Sequence, residues 1–294
     1  MKPGEKFRLA IEQEHPLQIV GTINAYCARL AEEAGFLAIY LSGAGVANAS
    51  WGMPDLGMTS MTDVLQDAER ILSTTPLPLL VDIDTGWGHE FCIQRTIKSM
   101  INAGVAAIHI EDQEPAKRCG HRPNKTIVTT AEMCDRIKAA VDARHDQSFV
   151  IMARTDALAT EGVEASIERC QRYLEAGADM IFAEAITSSD EYSKFTSSID
   201  APVLSNMTEF GRSPLMTTAD LEKVGVDMVL YPLSAFRAMS LAAEKTYAEI
   251  KNKGTQSGIT DRMQTRERLY EVLDYYSFEE KIDSLSARKA NDDE

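Results

Sequence analysis

Between Leu17 and Leu233 the apolar residues gather in eight short runs, with amphipathic stretches between them. The runs fall at about 17–24, 38–43, 78–84, 106–112, 149–156, 179–185, 202–207 and 227–233. One phrase recurs just before four of them: Glu33-Ala-Gly-Phe, Asn102-Ala-Gly-Val, Glu175-Ala-Gly-Ala and Lys223-Val-Gly-Val. Each copy reads as a helix end, a glycine cap, a short turn and then a buried strand. The segment 130–145 repeats Met133, Ile137 and Val141 four apart, and 163–176 carries Ile167, Cys170, Tyr173 and Leu174, so both are expected to be helices with one apolar face.

Strands this apolar, each followed by a helix, predict a parallel sheet covered on both faces. Eight such units predict a (β/α)8 TIM barrel over residues 1–254. A doubly wound open sheet is the alternative, but no Gly-rich dinucleotide fingerprint follows the first strand. After a helix expected at 234–253, residues 255–294 form a helical extension. Its stretch 265–276 carries Leu269, Tyr270, Val272, Leu273 and Tyr276, although a closed barrel has no interior left for them. The extension is therefore expected to cover the barrel or a neighbouring subunit, and the chain to be an oligomer.

Composition narrows the partners. A net charge of −15 over 294 residues argues against nucleic acid or an anionic membrane. No apolar run approaches the roughly 20 residues of a membrane span, and the charged segment 1–14 lacks the apolar centre of a signal peptide. Cys27, Cys92, Cys119, Cys134 and Cys170 are scattered and show no metal-site spacing, which suits free thiols in a reducing, cytoplasmic setting.

In such a barrel the chemistry belongs at the C-terminal ends of the strands. The fourth strand ends in Ile110-Glu111-Asp112-Gln113, and a loop then sets Lys117, Arg118, His121, Arg122 and Lys125 around Cys119. Cations favour a thiolate and suit an anionic substrate, and His121 stands where it can tune the proton affinity of Cys119. Asp82 and Asp84, two apart on one expected strand, should share a face, where a hard divalent cation relieves their repulsion. Glu111 at the end of the next strand adds to that expectation. Asp55 is either a turn residue or a carboxylate that reaches the metal through water. Ser42-Gly43-Ala44-Gly45 is either a plain turn or a backbone cradle for an anion. Arg154 and Arg237 are the candidate carboxylate clamps, and Asn206 and Thr208 can donate to a second carboxylate.

The runs Lys117-Arg118-Cys119-Gly120-His121, Tyr40-Leu-Ser-Gly, Asp82-Ile-Asp-Thr-Gly and Asn206-Met-Thr-Glu-Phe-Gly resemble the isocitrate lyase/phosphoenolpyruvate mutase superfamily, in its lyase branch. The resemblance covers residues 6–283. It implies Mg2+-dependent cleavage of a small tricarboxylate, 2-methylisocitrate, to pyruvate and succinate, a step of the methylcitrate cycle of propionate catabolism. Isocitrate cleavage, or decarboxylase or hydrolase chemistry on a 2-oxo diacid, are the alternatives. It implies a metal site at Asp82, Asp84, Asp55 and Glu111. It also implies substrate contacts at Ser42, Gly43, Ala44, Cys119, Gly120, Arg154, Glu184, Asn206, Met207, Thr208, Arg237 and Arg266. Cys119 would be the general acid, with Tyr40, Asp55 or hydroxide on the metal as candidates for the opposite proton transfer. Phe182 and Leu230 match the positions that accept the substrate methyl, and each also suits plain core packing. The last helix would be exchanged between subunits of a homotetramer.

Overall fold

The structure, a computed structural model, describes residues 1–118, 120 and 125–292, with side chains as far as residue 285. The chain forms two compact units, Met1–Arg237 and Ala238–Glu294. The division falls inside a helix, earlier than the boundary expected after residue 254.

The first unit is a closed barrel of eight parallel strands in sequence order. The strands are β1 (Leu17–Gly21), β2 (Ala38–Leu41), β3 (Leu79–Asp82), β4 (Ala107–Glu111), β5 (Val150–Thr155), β6 (Met180–Ala183), β7 (Val203–Asn206) and β8 (Met228–Tyr231). Every expected run holds a strand, trimmed at its ends where the chain leaves the sheet. β8 closes the barrel on β1, with Ile19 opposite Leu230.

Helices alternate with the strands: α1 (Pro3–Gln13), α2 (Ala25–Glu33), α3 (Gly43–Gly45, continuing as a π turn over Val46–Ser50), α4 (Met61–Leu72), α5 (Glu90–Asn102), α6 (Thr130–Ala143), α7 (Leu158–Glu175), α8 (Ser189–Ser198), α9 (Thr218–Lys223) and the start of α10 (Ser234–Lys253). Side-chain caps set several starts. Asn24, Thr129, Ser188 and Thr217 each accept a hydrogen bond from the backbone N–H three residues on. The recurrent glycines end the preceding helices as expected: Gly35, Gly104, Gly177 and Gly225 take φ of +90°, +88°, +107° and +76°, open to glycine at no steric cost.

Strand alternation sorts the side chains into two apolar cores. Ile39, Leu41, Val81, Ile108, Ile110, Ile151 and Ile181 face the helices. Leu17, Ile19, Ala38, Tyr40, Leu80, Ala107, Met152, Phe182, Leu204 and Leu230 fill the barrel interior together with Phe7 and Ala10 of α1. The helix α1 has no counterpart in the expected pattern; its apolar face joins the interior instead of a strand–helix layer. Its close approach leaves no room for a side chain at Gly4, where a Cβ would meet the Ser148 carbonyl oxygen at 2.0 Å.

The second unit continues α10 and adds a 3-10 turn (Ser257–Arg262), α11 (Arg266–Val272) and α12 (Tyr275–Asp292). The helix expected over 265–276 is thus two helices, broken where Asp274 takes a left-handed φ of 54°. Val272 is its buried apolar side chain, whereas Leu241, Tyr247, Ile250, Tyr276, Phe278, Ile282 and Leu285 are exposed. No helix among the described residues is long and apolar enough to cross a membrane.

Phe7 is fully buried in the barrel interior. Phe7→Ala should lower unfolding free energy by about 3–5 kcal/mol, the usual cost of emptying a large aromatic site, and urea titration followed by circular dichroism measures it.

Candidate active site

The same alternation that fills the barrel with apolar side chains ends in polar ones. On the inward face Leu80 is followed by Asp82, Ala107 by His109 and Glu111, Met152 by Arg154, and Leu204 by Asn206. Asp82, Glu111, Arg154 and Asn206 open into a cleft of about 550 Å³ of empty space, lined also by Tyr40, Ser42, Ala44, Asp55, Lys117, Gly120, Phe182, Glu184, Thr208, Leu230 and Arg237. Most of the expected site residues are therefore brought together at one end of the barrel.

Asp84 reaches this place by a route that strand periodicity does not describe. β3 stops at Asp82, and Asp84 sits in the following turn with a left-handed φ of 49°. Its N–H donates back to Asp82 Oδ1 at 3.0 Å, while the Gly43 N–H donates to Asp82 Oδ2 at 3.1 Å. The expectation that both aspartates lie on one strand fails, yet the turn returns Asp84 to the same cluster. A Cβ on Gly43 would stand 2.9 Å from Asp84 Oδ1, so the cradle tolerates only glycine there.

Four carboxylates, Asp55, Asp82, Asp84 and Glu111, face two cations, Lys117 and Arg154. Lys117 Nζ lies 2.7 Å from Asp55 Oδ1 and 2.5 Å from Asp84 Oδ1. Arg154 is shared: its Nε is 3.4 Å from Glu111 Oε2 and 2.9 Å from Asp156 Oδ2, and its Nη2 is 3.0 Å from Glu184 Oε2. Burial is the largest influence on Asp84; joined by the charges of Asp82 and Asp55, it overcomes Lys117 and pushes the carboxyl up to about 7. Burial also opposes ionisation of Asp82, but His109, Lys117, Arg154 and the Asp84 N–H outweigh it and hold that carboxyl down at about 2. Four carboxylates face only two cations, and Arg154 is also shared with Asp156 and Glu184, so the cluster is short of positive charge.

The cluster fits a hard divalent cation on structural grounds. Glu111 Oε1 is buried without a hydrogen-bond partner, and Asp84 Oδ1 meets Lys117 as an ionic contact without hydrogen-bond geometry. The donors are all carboxylate oxygens, as such a cation prefers. Among the described residues no three His, Cys, Asp or Glu side chains are drawn together as tightly as metal ligands are. The Lys117 ammonium stands between Asp55 and Asp84 instead.

Behind the carboxylates, Tyr40 OH and His109 Nε2 are 2.9 Å apart and their rings are stacked. Burial pushes the His109 imidazole down to about 4 and raises the Tyr40 phenol, so both are neutral at physiological pH. Asp156, which orients Arg154, accepts from Lys125 Nζ at 2.5 Å, and the same ammonium donates to the Gly120 carbonyl oxygen at 2.6 Å. Asp112 anchors this layer, accepting from Thr155 Oγ1, Tyr173 OH and the Asp156 N–H at 2.7, 2.9 and 2.8 Å.

The remaining expected residues divide. Asn206 Nδ2 donates to both oxygens of Glu184 at 3.3 Å. Arg237 lies at the rim, half exposed, 3.6 Å from Glu209 and over the Phe210 ring. Phe182 and Leu230 line the cleft, with the Arg154 guanidinium 5.0 Å from the Phe182 centroid. The side chain of Met207 does not join them: it is buried in the strand–helix core, where its sulfur accepts the Met216 N–H. This follows from alternation, because Asn206 takes the inward position and Met207 the outward one. Arg266 is the first residue of α11 in the second unit. Cys119 and His121 lie outside the described residues. Sequence reasoning gave Lys117 and Lys125 only a shared role as loop cations and gave His109 and Asp156 none; the inward alternation of His109 with Glu111 was the signal available for His109.

The fold agrees with comparisons to known proteins. A profile of the phosphoenolpyruvate phosphomutase family matches residues 7–251, and the chain belongs to that family. Among its relatives, a 2-methylisocitrate lyase of Shewanella oneidensis is 61% identical over 96% of this chain and 97% of its own. A 2-methylisocitrate lyase of Salmonella typhimurium is 58% identical over 98% of each. The crystal structure of 2,3-dimethylmalate lyase, a PEP mutase/isocitrate lyase superfamily member, superposes with a TM-score of 0.89 at 34% identity, covering 97% of this chain and 96% of that one.

A Cβ on Gly120 would come 2.4 Å from Arg154 Nη2 and 2.6 Å from Glu184 Oε2. Gly120→Ala should weaken binding of a small dicarboxylate such as succinate by at least about tenfold, the worth of one charge-assisted hydrogen bond. Isothermal titration calorimetry reads it, and unchanged affinity would mean that the arginine clamp is not used.

Proposed function

We propose that the chain is a divalent-metal-dependent carbon–carbon lyase that cleaves 2-methylisocitrate to pyruvate and succinate. The observation that carries this reading is the cation-deficient carboxylate cluster lying beside an arginine clamp at the barrel mouth. The relatives named above support the choice of substrate. Carboxylate donors suit Mg2+, and Asp82 and Asp84 would hold it, with Asp55 and Glu111 close enough to support it. Bound there, Mg2+ would act as a Lewis acid on the substrate hydroxyl and its neighbouring carboxylate.

The protein's own groups do the rest. Arg154, Arg237, Asn206 and Thr208 hold the carboxylates of the succinyl half. The bond between the hydroxyl-bearing carbon and its neighbour breaks as the hydroxyl proton leaves, and the carbonyl of pyruvate forms. That proton passes to Asp55 or, through Tyr40, to the His109 Nε2 beside it, the candidate acceptors that the protein supplies. The electron pair stays on the succinyl carbon and spreads into its carboxylate, where Arg154 balances the charge. Cys119 then donates a proton to that carbon, and His121 assists the thiol. Phe182 and Leu230 receive the methyl group. The exposed apolar side chains of α10 and α12 support a homotetramer in which the C-terminal helices pack on a neighbouring copy.

Pyruvate release from 2-methylisocitrate should stop with EDTA and return with Mg2+; release that survives EDTA would refute the metal requirement. Cys119→Ser should keep the fold and lower kcat by about 10²-fold or more, the usual loss for a general acid; near-normal kcat would remove Cys119 from the reaction. Light scattering on a sizing column should give four copies at micromolar concentration, and a monomer would refute the assembly.

A further inference from the structure

We propose that the Lys117 ammonium is a resident counter-ion of the metal site, which a divalent cation displaces on binding and so frees toward the substrate cleft. The inference rests on the reading that the carboxylate cluster holds a divalent cation.

Two observations and one distance argument carry it. The ammonium contacts two of the four carboxylates at once, Asp55 Oδ1 at 2.7 Å and Asp84 Oδ1 at 2.5 Å. Its side chain is only 5% exposed, so water screens it little from a second cation beside it. A divalent cation about 2.1 Å from Asp84 Oδ1 would share one oxygen with the ammonium, and at that range two unscreened cations repel strongly.

The segment is built to let the head group move while its backbone stays. Gln113, two residues past β4, holds the Arg118 backbone by two hydrogen bonds, from Gln113 Nε2 to the Arg118 carbonyl oxygen at 2.9 Å and from the Arg118 N–H to Gln113 Oε1 at 3.0 Å. Lys117 is next to this anchor, and its four-carbon stem can swing the ammonium without moving the chain. Lys117 also lines the cleft, as do Arg118 and Arg154. Once exchanged, its charge faces the space for the substrate carboxylates. The metal therefore binds before the substrate, and its binding adds a cation to the substrate subsite.

The test is equilibrium Mn2+ binding without substrate, read by the electron paramagnetic resonance of free Mn2+, for the wild type and Lys117→Met. Removing the competing charge should tighten Mn2+ binding by about tenfold or more. Affinity that is unchanged or weaker in the variant overturns the exchange. Wild-type protein gives an independent reading: brief acetylation of amines, mapped by peptide mass spectrometry, should label Lys117 severalfold more with saturating Mg2+ than without. Equal labelling overturns the exchange even if the variant fails to fold. Pyruvate release by the same wild-type preparation separates the two proposals. Mn2+ binding and exchange without pyruvate refute the reaction alone, and pyruvate release with neither tighter binding nor added labelling refutes the exchange alone.

Discussion

The crowding of three buried carboxylates, with Asp55 partly exposed beside them, against two cations governs the upper end of this barrel. Negative charge at that density is unstable in a low-dielectric setting unless cations and N–H donors surround it. The surrounding structure answers that constraint. Gly43 brings a backbone N–H to Asp82 because it has no side chain. The turn after β3 folds back so that the Asp84 N–H serves the same carboxylate. Arg154 divides itself among Glu111, Asp156 and Glu184, and Lys117 bridges Asp55 and Asp84. The charge that remains unbalanced is what would suit the site to a hard divalent cation.

The lower part of the barrel makes this arrangement tolerable. A parallel sheet packed on both faces supplies a rigid frame, and its strands change from apolar to polar only at their last inward positions. Phe7 of α1 reinforces the apolar end. A second layer, in which Asp112 and Asp156 gather Thr155, Tyr173, Lys125 and Arg154, fixes the clamp from behind. Because Lys125 also holds the Gly120 carbonyl oxygen, the orientation of Arg154 and the position of Gly120 are coupled through one ammonium.

Local signals made much of this legible in the sequence. Strands β1 to β8 and the four glycine-capped turns follow from short-range pattern, since apolar periodicity and a left-handed glycine are properties of adjacent residues. Asp82, Glu111, Arg154 and Asn206 could be placed at the mouth because each ends an apolar run. Less legible were features that depend on distant partners or on turn geometry. The left-handed φ of Asp84 and of Asp274 is not signalled by residue type, so the first was assigned to a strand and the second to the middle of a helix. The outward side chain of Met207 follows from register, which a motif alone does not carry. Lys117 read only as one cation among several, because its partners Asp55 and Asp84 lie 62 and 33 positions away in the chain.

In the proposed reaction, the choice of substrate turns on one methyl group against Phe182 and Leu230, a difference worth about 1–3 kcal/mol in such a pocket. The most direct measurement is therefore kcat/KM for 2-methylisocitrate and for isocitrate, side by side on Mg2+-loaded protein. The account predicts that pyruvate release from 2-methylisocitrate is favoured by at least about tenfold. Glyoxylate release from isocitrate at an equal or higher kcat/KM would contradict it.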